Sequence, residues 1–236
     1  MRLIQQWEKQ EINVRSMEFG GVDEYLLGNR AAPEWSSWTA WVWVKLGLGT
    51  VSNWGVMNVR DSVAGICTNA LSTWSTQNCW RVGWLEGGTY HHMNYSDPPI
   101  GPKECQGTWH LMWVTGAPGG GAFYVDNTLI ASYTANFSLG TAGGDLNVEL
   151  GKYYYGEHYL IGNMDEAGVA EGVLTYADLA PNDLPIDYQG VTGIQHWWRL
   201  GDFYVPGSYV IADQIGDMDL AMTNMEEADI TREVPR

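Results

Sequence analysis

At 236 residues, 45% of them hydrophobic, the chain is long enough for one large domain with a full core and too apolar to be disordered by composition. Acidic residues outnumber basic ones by 28 to 12, for a formal charge of −16, which speaks against binding to nucleic-acid phosphates. No apolar run approaches the ~20 residues of a membrane helix, and the first eight residues carry no apolar segment of the kind that makes a secretory signal.

In chain order, residues 1–16 have Trp7 and Ile12 as their strong apolar anchors among charged and amide residues. They read as an arm or edge strand that attaches to a neighbour, with a disordered terminus as the alternative. Residues 17–27 read as a first strand and its turn. In the next strand Trp38, Ala40, Val42 and Val44 line one face and Trp41 and Trp43 the other. Both faces are apolar, so this strand is central or has its outer face covered by something else.

From 50 to 100 the pattern breaks into short pieces (54–59, 65–67 and 79–85), and 91–99 reads as a loop fixed by Pro98-Pro99. Residues 109–114 are a strand, 116–121 a glycine-rich turn, and 122–133 a hairpin around Asp126-Asn127, where Asn tolerates positive φ. Leu146, Val148 and Leu150 alternate with Asn147 and Glu149, which predicts a half-buried strand. After a strand at 164–170 and a helical turn at 175–179, Pro181 and Pro185 mark another turn. Residues 194–202 and 211–230 read as further strands. The 29 glycines fall mostly between strand patterns, as a turn-rich sandwich requires.

This order of elements resembles the laminin G-like branch of the concanavalin A-like lectin/glucanase superfamily. The resemblance is carried by Phe19-Gly20-Gly21-Val22-Asp23-Glu24-Tyr25, Thr39-Ala40-Trp41-Val42-Trp43-Val44-Lys45, Trp109-His110, Tyr124-Val125-Asp126-Asn127 and Met164-Asp165-Glu166-Ala167. It implies an all-β, concanavalin A-like jelly-roll sandwich over 17–236, with residues 1–16 as an N-terminal arm and 181–236 as a C-terminal strand extension packed on it. The C-terminal run Trp197-Trp198-Arg199-Leu200-Gly201-Asp202, with Ile211-Ala212-Asp213 and Met222-Thr223-Asn224-Met225-Glu226, resembles the tail after laminin G-like domains in structural proteins of marine bacteriophages. That second likeness implies a non-enzymatic virion protein made in the bacterial host cytoplasm. It would decorate the capsid surface and dock on the major capsid protein or other virion proteins through Trp7 and Ile12. A homo-oligomer is compatible with that role. The alternative is a carbohydrate-binding, lectin-like module, carried on a tail or secreted, that meets host polysaccharide.

Glycosidases of the superfamily carry an E-x-D-x-x-E strand, and here Gly168 stands where the central Asp belongs, so retaining hydrolysis by that arrangement is not expected. The superfamily's structural calcium points to Asp165, with backbone oxygens near Gly20-Gly21 and help from Asp23; the competing reading is a hydrogen-bonded strand-end carboxylate. His91-His92 reads as solvated loop, since adjacent residues of an extended chain point apart. Most of the 13 tryptophans must be core, but Trp54, Trp74, Trp84 and Tyr90 lie in the broken middle stretch and are the candidate glycan contacts. Cys67, Cys79 and Cys105 show no CxxC spacing, and three reduced thiols are expected over one disulfide plus a free thiol.

Overall fold

The computed structural model describes residues 14–31, 34–48, 54–61, 68–74, 78–86, 89–96, 98–134, 144–153, 158–204 and 206–236, the side chains of 61, 68–74, 84–86 and 89–90 excepted. The strands are β1 (Ser16–Gly20), β2 (Tyr25–Ala31), β3 (Trp38–Leu46), β4 (Gly55–Asp61), β5 (Thr68–Trp74), β6 (Cys79–Glu86), β7 (Thr89–Tyr95) and β8 (Trp109–Ala117). Then come β9 (Gly120–Val125), β10 (Thr128–Tyr133), β11 (Asp145–Leu150), β12 (Ile161–Glu171), the helical turn α1 (Tyr176–Leu179) and β13 (Ile194–Trp198). The C-terminal strands are β14 (Val210–Ile211), β15 (Leu220–Thr223) and β16 (Ile230–Thr231).

Two antiparallel sheets face each other. Sheet A runs β10-β9-β8-β3-β12-β1-β16 with β13 also on β12, and sheet B runs β14-β15-β2-β11-β4-β5-β6-β7. This is the jelly-roll sandwich anticipated from the sequence. Trp38, Ala40, Val42 and Val44 of β3 point into the core between the sheets, beside Leu146, Val148 and Leu150 of β11 and Trp80 and Val82 of β6. Removing such side chains from water is the main favourable term of the fold.

The other face of β3 is apolar as well, and both readings of that pattern hold: β3 is an inner strand of sheet A and its outer face is covered. Trp41 and Trp43 join Leu111, Trp113 and Trp197 in a second cluster, closed by Leu174, Leu179, Ala180 and Tyr188. Residues 172–193 lie over sheet A as a lid, pinned to β3 where the Thr39 hydroxyl donates to the Gly172 carbonyl at 2.8 Å and accepts the Leu174 N–H at 2.9 Å. The Thr175 N–H and hydroxyl both donate to the Asp178 carboxylate at 2.7 Å, which starts α1.

The C-terminal strands are built into both sheets. β13 extends β12, β15 adds to β2, and β16 pairs with β1. Asp213 ties this chain segment down. Its carboxylate meets His196 Nδ1 at 2.5 Å and accepts the backbone N–H groups of Trp197, Ile215, Gly216 and Met218. Arg30 lies 3.1 Å from His196 Nε2, and a guanidinium only donates, so Nε2 accepts and Nδ1–H donates to Asp213.

Three sequence readings are corrected. The broken middle stretch contains four strands: β4 to β7 form a meander at the far side of sheet B. His91 and His92 accordingly sit on β7, in register with Trp84 and Gly83, and the loop begins after Tyr95. In the β9–β10 hairpin Asp126 takes the positive φ, 50°, expected of Asn127. The Asp126 side chain explains the exchange: it accepts the Leu111 N–H at 2.9 Å and meets His110 Nδ1 at 2.7 Å, which repays the strained backbone. Of the three cysteines, Cys79 and Cys105 are buried free thiols, and Cys67 lies outside the described residues.

Gly168 shows why the glucanase-type acid is missing. A Cβ there would stand 2.2 Å from the Trp41 ring and 2.8 Å from the His196 carbonyl, so the fold admits no side chain. Trp41 is fully buried and its ring has little room to yield. Gly168→Ala is therefore expected to destabilise the domain by about 1–3 kcal/mol through overpacking. The reading is a lower urea midpoint at unchanged slope; an unaltered midpoint would show that the ring can move aside.

Candidate functional site

The structure does not assemble the predicted calcium site. β1 and β12 are antiparallel, with Met17 opposite Met164 and Gly20 opposite Ile161. Asp165 therefore lies toward Ser16, and Gly20-Gly21 is about 13 Å away along the strand at ~3.3 Å per residue. Asp165 is fully buried, with Oδ1 accepting the Glu166 N–H at 2.8 Å, while Asp23 is exposed and accepts from Asn224 Nδ2 at 2.9 Å. Among the described residues no group of three or more His, Cys, Asp or Glu side chains could hold a metal ion.

The predicted glycan contacts also move. Trp54 is 3% exposed and belongs to the core, so it has no ring face to offer a sugar. Trp74, Trp84 and Tyr90 sit on strands β5, β6 and β7 rather than in loops, and their side chains lie outside the described residues. Trp7 and Ile12 lie outside the described residues altogether.

Sequence reasoning passed over the outer face of sheet B. Strand alternation generates it: where Val148 and Leu150 point inward, Asn147 and Glu149 point out. In register beside Glu149 is Asn58, and beside Asn147 is Arg60. Further across the meander, Arg81 stands opposite Asn94, with His92 two residues along β7; on the other side, Asn29 of β2 stands opposite Asn147. The outward side chains are thus amides, guanidinium groups, an imidazole and a carboxylate.

They hold one another in place. Asn29 Nδ2 donates to Asn147 Oδ1 at 2.8 Å, and Asn58 Nδ2 donates to the Lys152 carbonyl at 2.7 Å and to Glu149 Oε2 at 3.3 Å. Arg60 reaches the other Glu149 oxygen at 3.5 Å. Arg81 Nε donates to Asn94 Oδ1 at 2.8 Å, and its Nη1 lies 3.5 Å from the Tyr153 hydroxyl. The inner members Asn58, Asn147, Glu149 and Arg81 are buried, whereas Asn29, Asn94 and His92 are exposed. Burial and the nearby Arg81 charge both push the His92 pKa down.

One edge of the face is walled by the segment after β11. Gly55 makes the approach possible, since a Cβ there would stand 1.9 Å from the Tyr153 nitrogen. Lys152 lies 4.3 Å over the Tyr25 ring, with Tyr159 tilted against the same ring at 6.3 Å. Orientation-fixed amides and guanidinium groups beside tyrosine rings suit a ligand with many hydroxyl groups. Each such ligand hydroxyl both donates and accepts. The carboxylate of Glu149 is held between Arg60 and Asn58.

No protein-family model matches this sequence, and no curated protein matches it. Solved structures do. A candidate carbohydrate-binding protein from Bacteroides ovatus superposes with a TM-score of 0.67 at 16% identity, covering 95% of this chain and 60% of that one. The chain thus spans about 60% of that protein's length. A heptameric SAP-like pentraxin from Limulus polyphemus gives a TM-score of 0.52 at 13% identity, over 91% of this chain and 98% of that one. The CBM40 module of the Ruminococcus gnavus IT-sialidase, bound to α2,3-sialyllactose, gives 0.50 at 11% identity, over 71% and 97%. At these identities the likeness is one of fold alone: an antiparallel jelly-roll β-sandwich.

One perturbed acid lies elsewhere and is structural. Glu166 sits fully buried in the β12 bulge at φ 43°, receiving Trp197 Nε1–H at 2.5 Å, with Arg199 Nε at 3.4 Å. Burial pushes its pKa up to about 8, against the lowering pull of Trp197 and Arg199. A strongly shifted acid often marks catalysis, but this one is sealed from any substrate. Its folded-state pKa is above its unfolded one, so its contribution to stability is full below about pH 4.3 and is lost as pH rises to about 8. Glu166→Gln should remove that slope. Between pH 5 and pH 8 the wild type should lose stability relative to the variant, by an amount of the order of a few kcal/mol in urea titrations. Parallel curves for the two proteins would refute the raised pKa.

Proposed function

We propose that the chain is a non-catalytic carbohydrate-binding module whose ligand lies across the outer face of sheet B. The observation that carries this is a row of three hydrogen-bonded groups on one sheet face: Asn29 with Asn147, Asn58 and Arg60 with Glu149, and Arg81 with Asn94. Several of these groups are buried without becoming apolar core, and their partners fix their orientation before a ligand arrives. Preorganisation of this kind lowers the ordering cost of binding. The fold shared with carbohydrate-binding structures supports the same reading.

Decoration of a phage capsid, expected from the C-terminal run, draws no support from the structures named above. Glycan binding, the alternative weighed beside it, is the better supported of the two. A place on a virion would make the module a receptor binder rather than a cement, with host polysaccharide as its partner.

The test is a glycan array followed by calorimetry on the best binder. Asn29 and Asn94 are exposed rim residues, so Asn29→Ala/Asn94→Ala should still fold, with a melting temperature lowered modestly by the lost bonds to Asn147 and Arg81. That double variant is expected to lose roughly five- to 150-fold in affinity, since each of two lost hydrogen bonds is worth roughly 0.5–1.5 kcal/mol. Wild-type affinity in the double variant, or no glycan bound by the wild type, would rule the site out.

A further inference from the structure

The outer face of sheet A is not covered along its whole length. The lid at 172–193 seals Trp41 and Trp43, but the same row of outward residues continues to Lys45 on β3 and, opposite it, Trp109 on β8. Here a cleft of about 580 Å³ opens, lined by Lys45, Gly107, Trp109, Arg232, Glu233 and Arg236. The size is that of a small-molecule site. Trp109 is half-buried against the covered aromatic cluster and turns its remaining surface to the cleft.

The charge of this cleft runs against that of the molecule. The chain carries 12 basic residues against 28 acidic ones, yet the cleft wall has three basic side chains, Lys45, Arg232 and Arg236, and one acidic side chain, Glu233. Glu233 is paired with Lys45. Among the described residues neither Arg232 nor Arg236 is in a salt bridge, and both are exposed. Arg232 also borders an adjoining hollow of about 240 Å³ that holds Arg15 and Glu227. Two exposed guanidinium groups can fork a planar anion. An indole beside them offers a flat apolar surface to a sugar ring.

We propose that this cleft is a second ligand site, independent of sheet B, that takes an acidic saccharide with its carboxylate on Arg232 and Arg236 and a pyranose ring against Trp109. The strongly negative remainder of the molecule disfavours extended polyanions such as nucleic acid and leaves a short acidic sugar as the fitting ligand.

Calorimetry at low salt with oligogalacturonate, the matching neutral galacto-oligosaccharide and sodium sulfate tests this. Oligogalacturonate should bind the wild type, and Arg232→Gln/Arg236→Gln should weaken it at least tenfold while leaving the melting temperature unchanged. The Asn29→Ala/Asn94→Ala protein should keep the affinity, which separates this site from the one on sheet B. Sulfate bound as tightly as oligogalacturonate would overturn the proposal in favour of a plain anion site. Equal binding of the neutral sugar, absence of oligogalacturonate binding, or loss in the asparagine variant rather than the arginine one would overturn it as well.

Discussion

Strand β12 has three neighbours and only two edges, and the architecture follows from how it accommodates them. One edge is taken along its length by β3. The other is shared end to end: β1 pairs with residues 161–164 and β13 with residues 167–170. A bulge falls between the two, at Asp165 to Gly168. It holds an unusual density of polar groups for a core, with Glu166 at positive φ beneath Trp197 and Arg199. A bulge bends its strand and re-aims side chains, and here it lets N-terminal and C-terminal chain pair in tandem with one strand. Arg199 extends the arrangement outward by bonding Asp202 at 2.8 Å, which in turn accepts the Val14 N–H.

The link from β12 to β13 decides which sheet face is free. A short hairpin could join these antiparallel neighbours, but the chain instead makes a long excursion, and that excursion is the lid over Trp41, Trp43 and Trp113. Apolar residues on that face are thereby consumed in packing, with Tyr188 lodged 5.1 Å from Trp41 and 5.4 Å from Trp197. The outward positions of sheet B are polar instead. The asymmetry is therefore written into the two sheets: one outer face is core, the other carries hydrogen-bonding groups.

This division explains what the sequence revealed. β3, β8 and β12 are buried on both faces, so their apolar runs stand out, and the need for a cover over Trp41 and Trp43 was legible in the alternation itself. β4 to β7 have polar outer positions such as Asn58, Arg60, Arg81 and Asn94, which dilute the hydrophobic signal. Short strands of that kind, separated by glycine and serine, read as loop pieces. The same misreading carried the glycan candidates to Trp54, which the core required, and away from Asn58 and Arg81. A signal was present: an outward amide or guanidinium recurs on β2, β11 and β4 and again on β6 and β7. Seeing it needs the register, which pairs residues far apart in sequence, as with Asn58 and Glu149. The calcium reading failed for a related reason. A residue's place in a motif does not give its distance from another motif, and the β1–β12 register sets Asp165 and Gly20-Gly21 apart.

Charge gives the final constraint. Six of the 12 basic residues sit at the two candidate surfaces, Arg60, Arg81 and Lys152 at sheet B and Lys45, Arg232 and Arg236 at the cleft. Elsewhere the acidic excess dominates. A short acidic ligand therefore meets attraction nearby and repulsion at longer range, and the Debye length at physiological salt, about 8 Å, falls between these scales. Added salt weakens the near contacts of an exposed site such as the cleft. For a long polyanion it also screens the repulsion from the rest of the surface, and the two effects oppose. Ligand length, as much as ligand charge, thus sets the salt response of such a protein, and the arrangement selects for short acidic chains over long ones when salt is low.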